Sequence, residues 1–233
     1  MSRREVYRLL EEKMLGYKDY ADIPSTPEED EIGLVVIRSS AVLRAEPLTD
    51  GLVRVPKDGI IVRRTVADRL YWAGQALKSY DKDLQLEVVC GYWSPKIQRD
   101  LFEQARSSLD DDYRSRDDLV EAAHRRIAVP DVAAHPTGAG VDVHILRDGA
   151  PIDMGTKIWD FDRNSYTFSP FVSREAWDNR QLLRRCMIHA DFAPFDGEWW
   201  HFSYGDKEWA CFYHKPEALY DVIDEHDVQD RMV

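Results

Sequence analysis

The sequence predicts an α+β fold, because strand and helix patterns are mixed along it without the regular alternation of a βαβ chain. Short apolar or β-branched runs of strand length recur throughout, at 33–37, 59–62, 84–90 and 141–145. Longer segments between them place apolar residues at helical spacing. No internal repeat is visible, which excludes solenoid and array folds.

The N-terminal part is predicted to begin with a helix over residues 3–17, where apolar residues recur at roughly helical spacing. A polar stretch, 20–32, is expected to wrap around the surface. Between the first two strands, Asp50 and Gly51 form a turn signal. A second helix is predicted over 65–79, which places its apolar residues on one face.

The middle of the chain contains a strand over 84–90, followed by a helix with a clear start signal. Ser94 is the predicted N-cap and Pro95 the first helical residue. After a polar, acidic segment, a short helix is predicted over 119–127. The next strand, 141–145, alternates apolar and polar residues.

Towards the C-terminus, Ser173 is predicted to cap a helix that ends near His189. Residues 199–204 and 209–213 are predicted to form a closing pair of strands around a Gly-Asp turn. The last stretch, 216–233, is acidic and weakly amphipathic, and the pattern is compatible either with a docked helix or with a frayed end.

Composition excludes several classes of function. The 233 residues carry a formal net charge of −12, which argues against nucleic acid as the main partner and against adsorption to an anionic membrane. With 44% apolar residues, the chain has enough material for a core and is not predicted to be disordered. Three scattered cysteines and no Cys-x-x-Cys pair argue against a disulfide framework or a thiolate metal site.

We therefore expect a cytoplasmic protein with a single domain over 1–233. In this division, 1–32 form an N-terminal helix and wrapping segment, and 216–233 form an acidic tail. The start of the chain is too charged for a signal peptide. No apolar run approaches the roughly 18 residues of a membrane span.

Two segments contain histidines in unusual settings. In the strand 141–145, Asp142 and His144 share the face opposite the apolar residues, and such a buried ionisable group needs a partner or a metal. The glycines before this strand allow a tight loop that returns His135 to the side of Asp142. Farther on, Glu198 and His201 lie among three large aromatic residues.

His135, Asp142 and His201 form a plausible three-ligand set for zinc, with a fourth position left to water. Glu198 is then a candidate general base. In a regular strand Glu198 and His201 would point to opposite sides, so they converge only if Glu198 lies on a bend before the strand. The alternative is a buried His–Asp pair and an unrelated surface glutamate.

The pattern of His135, Gly138 and Asp142 followed by Glu198 and His201 resembles the signature of the zinc D,D-peptidases, with VanX-type dipeptidases and VanY-type carboxypeptidases. Other segments agree with this family: a Gly-Tyr-x-Ser-Pro turn at 91–95, Asp153-Met154-Gly155, Phe161-Asp162, and the Asn- and Arg-rich stretch 179–185. The resemblance covers about residues 70–213.

This resemblance implies a small central, mainly antiparallel sheet flanked by helices, with the zinc site on the sheet. It makes His135, Asp142 and His201 the ligands of one zinc ion per chain and Glu198 the catalytic base. The implied function is hydrolysis of a small peptide substrate that contains a D-amino acid, by default D-Ala-D-Ala.

The main departure from the family is Trp93, which stands where the family has an arginine thought to stabilise the transition state, and Ala133 and the Ala139-Gly140 pair are smaller departures. Loss of such a donor typically costs about 10²–10³ in rate. Lys96 and Arg99 are the nearest cations in the sequence and are candidates to replace it. Two further readings stay open, a zinc-binding scaffold with lost or altered peptidase activity and a carboxypeptidase for longer peptides.

Overall fold

The computed structural model describes residues 1–25, 33–48, 59–109 and 115–233. The predicted turn at Asp50 and Gly51, most of the segment 20–32 and part of the acidic segment before the short middle helix lie outside these residues. The helices of the described part are, in chain order, α1 Arg3–Glu11, α2 Tyr17–Tyr20, α3 Arg64–Tyr80, α4 Pro95–Ser107, α5 Arg116–His124, α6 Arg174–His189 and α7 Lys207–Phe212. The strands are β1 Leu34–Val36, β2 Leu43–Ala45, β3 Ile61–Arg63, β4 Leu84–Cys90, β5 Gly140–Arg147, β6 Ala150–Pro151, β7 Ala193–Pro194 and β8 His201–Ser203.

The main sheet has the strand order β2-β4-β5-β8-β7, with β6 paired to the far end of β5. β2 and β4 are parallel, whereas the other pairs in this sheet are antiparallel. A second, two-stranded sheet joins β1 and β3. The predicted α+β class with a mainly antiparallel central sheet is confirmed.

The two long central strands separate the core from the site. On one face, β4 and β5 contribute apolar side chains to the largest hydrophobic cluster, which also contains residues of α3 and α6. Val88 is paired with Val143, and Leu86 with Ile145, so these side chains lie on the same face. Because side chains alternate along a strand, Asp142 points away from this core.

The start signals for two helices are confirmed. Ser94 accepts a hydrogen bond from the backbone N–H of Ile97, and Ser173 accepts one from Ala176, at the N-termini of α4 and α6. The strand prediction at 84–90 matches β4. The predicted N-terminal helix ends earlier than expected, at Glu11, and a separate short helix, α2, follows it.

The predicted closing pair of strands is wrong. Residues 209–213 lie mainly in α7, because the Asp206 side chain accepts a hydrogen bond from the N–H of Trp209 and caps a helix there. The first half of the pair is β8, whose partners are β5 and β7. Strands β2 and β7 were not predicted, since both are too short to give an alternating pattern.

The C-terminal stretch 216–233 docks on the protein without a helix, so neither predicted alternative is correct. Leu34 exchanges backbone hydrogen bonds with this end: its N–H donates to the carbonyl of Arg231 at 2.7 Å, and its carbonyl accepts from the N–H of Val233 at 3.0 Å. The Tyr92 hydroxyl donates to the carbonyl of Ile223 at 3.0 Å. A small apolar cluster that includes Leu34, Tyr92 and Ile223 forms beneath it.

No helix in the described ranges has both the length and the apolar character needed to cross a bilayer.

Candidate metal centre and its pocket

The four predicted site residues line one pocket. His135, Asp142, Glu198 and His201 all contribute to its wall, and the cavity between them has a volume of about 50 Å³. Large aromatic rings and small side chains supply part of the remaining wall, including Trp93, Ala133, Ala134, Trp159 and Phe195.

Three of these residues present ligand atoms to one another. His135 Nε2 lies 3.1 Å from His201 Nδ1, His201 Nδ1 lies 3.0 Å from Asp142 Oδ1, and His135 Nε2 lies 3.4 Å from Asp142 Oδ1. This is the one group of three or more potential metal-binding side chains within the described residues. All three side chains are buried.

The donor set fits zinc. Nitrogen and oxygen ligands at about 2.0–2.1 Å from a tetrahedral ion lie about 3.3 Å from one another, close to the three observed separations. Because these side chains also line the pocket, a position beside them is accessible to a small molecule. Two imidazoles and a carboxylate with an open position are typical of catalytic rather than structural zinc sites.

Local structure explains why His135 reaches Asp142. His135 begins a single 3₁₀ turn, which ends at Gly138 with a φ of 73°. Gly140 then starts β5 against this turn, and a Cβ there would lie only 2.7 Å from the backbone N of His135. The chain can therefore fold back on itself only because this position has no side chain.

Strand pairing places His201, the third predicted ligand. Asp142 on β5 is directly opposite His201 on β8 in an antiparallel pair. Directly opposed residues project to the same face of a sheet with their Cβ atoms roughly 4.5–5.5 Å apart. The His201 and Asp142 side chains therefore meet although 59 residues separate them in sequence.

Two further contacts orient the side chains of the predicted ligands. The Nδ1–H of His135 donates to the carbonyl of Gly91 at 2.7 Å, which leaves Nε2 for the group of three. The indole N–H of Trp159 donates to Asp142 Oδ2 at 2.8 Å. Burial opposes ionisation of Asp142, but His135 and His201 outweigh this effect and lower the pKa of its carboxyl below its usual value.

Glu198 lies in the turn between β7 and β8, before the strand that carries His201. The strand begins at His201, and the N–H of His201 donates to the Glu198 carbonyl at 3.2 Å. Glu198 therefore lies on a bend before the strand, which is the arrangement that lets the Glu198 and His201 side chains lie on the same side. Burial, then the charges of Asp142 and Glu208, raises the pKa of the Glu198 carboxyl well above its ordinary value.

A family model described as D-Ala-D-Ala dipeptidase, peptidase M15, matches residues 57–224. The chain belongs to the M15 peptidase family. The resemblance found in the motifs is thereby confirmed. The family and the His–Asp–His group together confirm the prediction of a zinc cofactor.

Two curated relatives support the dipeptidase branch of M15. A D-alanyl-D-alanine dipeptidase of Synechocystis sp. is 38% identical over 93 residues, which are 35% of this chain and 38% of the relative. A D-alanyl-D-alanine dipeptidase of Enterococcus faecium is 26% identical over 83 residues, 35% of this chain and 41% of the relative. The chain thus matches less than half the length of these two relatives.

Solved structures with similarity to this M15 chain include a zinc complex of the vancomycin-resistance D,D-pentapeptidase VanY, in mutant form, and the LD-carboxypeptidase LdcB. The VanY structure is 16% identical, with a TM-score of 0.41, and the match covers 79% of this chain and 91% of that one. LdcB is 15% identical, with a TM-score of 0.46 and coverage of 89% and 80%. The family assignment rests on the sequence match and not on these scores.

Trp93, the main departure from the M15 pattern, is part of the pocket wall. Its ring stacks on His135, with centroids 3.8 Å apart and an interplanar angle of 26°. Its indole N–H donates to Gln98 Oε1 at 2.7 Å, and Gln98 in turn donates to the carbonyl of Ala128. The indole therefore occupies a fixed position beside a predicted zinc ligand.

The candidate replacements for the M15 arginine do not reach the pocket. Lys96 is exposed and pairs with Asp100, and Arg99 is exposed on the same helix. Among the described residues of the wall, Arg126 is the one cationic side chain, and it lies just after α5. Sequence reasoning missed Arg126, because the helix predicted over 119–127 contained it, whereas α5 ends at His124.

Trp159 and Arg180 were missed as well. Arg180 is fully buried on α6, and it donates to the carbonyls of Met154, Asn164 and Tyr166. It therefore fixes the segment that carries Trp159. Burial lowers the pKa of the Arg180 guanidinium to about 10. The Asp153-Met154-Gly155 motif and the Arg-rich helix were both recognised, but their contact was not visible in the sequence.

The other histidines lie outside the group of three. His144 contacts the carbonyl of Ile145 through Nδ1 at 2.8 Å and packs edge-on against Trp199, and burial lowers its pKa. The acidic run 224–227 does not join any potential metal group among the described residues. His124 is buried in the pocket wall, where it contacts Tyr20.

Proposed function

We propose that this chain is a zinc-dependent dipeptidase that hydrolyses short peptides containing a D-amino acid, with D-Ala-D-Ala as the default substrate. The observation that carries the proposal is the convergence of His135, Asp142, His201 and Glu198 in one pocket. Membership of the M15 family and the two dipeptidase relatives support the substrate class. The cytoplasmic location and the single domain over 1–233 stay predictions.

In this proposal His135, Asp142 and His201 hold the ion. Zinc, when bound, acts as a Lewis acid and lowers the pKa of a coordinated water to about 7. The Gly91 carbonyl and the Trp159 indole keep the imidazole and the carboxylate in their ligand orientation. These contacts reduce the rearrangement of the His135 and Asp142 side chains that zinc binding would otherwise require.

Glu198 is proposed as the general base and then the general acid. Its carboxylate accepts a proton from the attacking water and delivers it to the amine that leaves when the amide bond breaks. A carboxyl whose pKa is raised by burial retains this proton long enough to transfer it. Arg126, rather than Lys96 or Arg99, is positioned to face negative charge on the substrate.

The test combines metal analysis with hydrolysis assays on D,D-, L,D- and L,L-dipeptides and on longer peptides. We expect about one zinc per chain and hydrolysis of a D,D-dipeptide. Glu198→Ala should reduce kcat roughly 10²–10⁴-fold while zinc content is unchanged. Glu175→Ala, a change at an exposed position on α6, is the matched control and should leave both quantities unchanged.

Two results would contradict this function: a zinc content far below one equivalent in every preparation, or full activity of the Glu198→Ala protein. Cleavage confined to peptides longer than two residues would favour the carboxypeptidase reading instead.

A second candidate, a zinc-binding scaffold with lost or altered peptidase activity, is favoured by the position of Trp93. Its indole is stacked on His135, where the family's arginine would supply a cation. Under this candidate, Trp93→Arg should create or raise peptidase activity while zinc content stays the same. Robust turnover by the unmodified protein, with loss of turnover in the variant, would exclude the scaffold.

A further inference from the structure

A second buried carboxyl group, that of Glu208, lies in the wall of the same pocket. Glu208 is on α7, and only 5% of its surface is exposed. It takes part in neither the predicted ligand set nor the proposed proton transfer. Burial of an unpaired carboxylate is costly, so its retention in a pocket wall requires an explanation.

The Glu208 side chain lacks the partner that a buried acid normally has. Its Oε1 atom is buried and has no hydrogen-bond partner among the described residues. The charges that act on it are those of two further acids, Asp206 and Asp196. Burial and these charges raise the pKa of the Glu208 carboxyl well above its usual value.

Tyr20 supplies a second polar atom in the wall of the same pocket. The charge of Glu208 is the largest electrostatic contribution that raises the pKa of the Tyr20 hydroxyl, after burial. The Tyr20 oxygen lies 2.6 Å from His124 Nε2, while His124 Nδ1 accepts a hydrogen bond from the N–H of Val129. Nε2 of the neutral imidazole therefore carries the hydrogen and donates it to Tyr20.

The charge of the pocket wall favours binding of a cationic group near Glu208. Glu208 is a buried and Glu198 a half-buried carboxyl group of the wall, and the one cation of its described residues, Arg126, is exposed. A substrate ammonium group has three hydrogens to donate. Glu208 Oε1, the Tyr20 oxygen and the Glu198 carboxyl are acceptors that the pocket offers to it.

We propose that Glu208 binds a positively charged nitrogen of the substrate, together with the Tyr20 oxygen, and thereby selects substrates that carry such a group next to the cleaved bond. This inference rests on the proposed peptidase function and deepens it. The nitrogen has two possible sources with the same chemistry: the free α-ammonium group of a dipeptide, or a basic side chain.

The test measures binding by calorimetry to the full-length, metal-free protein, in which hydrolysis does not interfere. The probes are D-Ala-D-Ala, N-acetyl-D-Ala-D-Ala and N-acetyl-D-Lys-D-Ala. Glu208→Gln preserves the size of the side chain and removes its charge, and Glu175→Gln on the surface of α6 is the matched control. Glu208→Asp retains the charge and replaces the Gln variant if that protein does not fold.

If the α-ammonium group is the bound group, acetylation should weaken binding of D-Ala-D-Ala roughly 10- to 100-fold, and Glu208→Gln should abolish this difference. If a basic side chain is the bound group, N-acetyl-D-Lys-D-Ala should bind roughly 10- to 100-fold more tightly than N-acetyl-D-Ala-D-Ala. This difference should be absent from the Glu208→Gln protein. Glu208→Asp should keep a reduced preference in either case.

Equal discrimination by the unmodified protein and by Glu208→Gln, or no discrimination by either, would overturn the inference. The same probes with the zinc-loaded protein report hydrolysis separately. Charge-selective binding without hydrolysis would contradict the peptidase function and leave the subsite standing. If the unmodified protein and Glu208→Gln hydrolyse the probes at the same rate, the peptidase function stands and the subsite is contradicted.

Discussion

Asp142 shows how neighbouring groups orient one carboxylate of the proposed metal site. One of its oxygens faces His135 and His201, and the other accepts a hydrogen bond from Trp159. Because each oxygen has a distinct partner, the carboxylate plane has one preferred orientation. The site therefore depends on a tryptophan that no metal-binding motif includes.

Trp159→Phe tests this dependence. The ring and its packing are largely kept, but the hydrogen bond to Asp142 Oδ2 is lost. We expect the zinc dissociation constant, measured by competition with a chromophoric chelator, to rise about 10- to 100-fold. Trp177→Phe on α6 is the control and should leave it unchanged, whereas equal affinity in all three proteins would contradict the orienting role.

At the scale of the elements, the site is assembled from chain segments that meet at the ends of β5 and β8. The 3₁₀ turn before β5 positions His135, and the turn before β8 positions Glu198. Pairing of the two strands then brings Asp142 beside His201. Short irregular segments thus determine the geometry, and the strands hold them in register.

Gly140→Ala tests the close approach between the 3₁₀ turn and β5. The new methyl group would lie 2.7 Å from the His135 backbone N, so the turn must shift. We expect a loss of about 1–3 kcal/mol in the free energy of unfolding and at least about tenfold weaker zinc binding.

Gly149→Ala is the matched control for this glycine. Gly149 has a φ of 79°, but a methyl group added to it would have no atom within 4 Å. Its substitution should therefore cost about 1–2 kcal/mol of stability and leave the zinc affinity unchanged. A normal zinc affinity for the Gly140→Ala protein would show that the turn tolerates displacement.

At the scale of the whole molecule, burial of polar groups around the pocket links stability to pH. His124 is almost fully buried against Tyr20, and burial, followed by the charge of Arg125, lowers its pKa to about 3. In the unfolded chain a histidine has a pKa of about 6.5. Between these two values the unfolded state binds the additional proton, so stability falls as the pH is lowered.

The expected contribution of His124 is a decrease of up to about 1.4 kcal/mol in the free energy of unfolding for each pH unit below about 6.5. Urea denaturation between pH 7.5 and 5 should show this slope in the unmodified protein. His124→Gln, which cannot be protonated, should reduce it. Protonation of the other histidines is common to both proteins, so identical slopes would contradict a buried neutral His124.

Much of the site was predictable because its chemistry is carried by residue types at fixed spacings. The alternation in β5 placed Asp142 opposite the apolar face, and the glycines around position 140 indicated the return of His135. Helix starts at Ser94 and Ser173 were predictable because capping is a local interaction. The strand predicted over 209–213 failed because the Asp206 cap competed with a β-like pattern.

By itself, the sequence determined the α+β class, the M15 resemblance and the residues from which a zinc site can be made, since these depend on local pattern and residue chemistry. Only the tertiary structure decided that Trp159 supports Asp142, that Arg126 rather than Lys96 or Arg99 lines the pocket, and that Glu208 is buried there without a partner for its Oε1 among the described residues. The physical reason is that burial and hydrogen bonding between distant segments depend on how the sheet and helices pack, and no spacing along the chain encodes those distances directly.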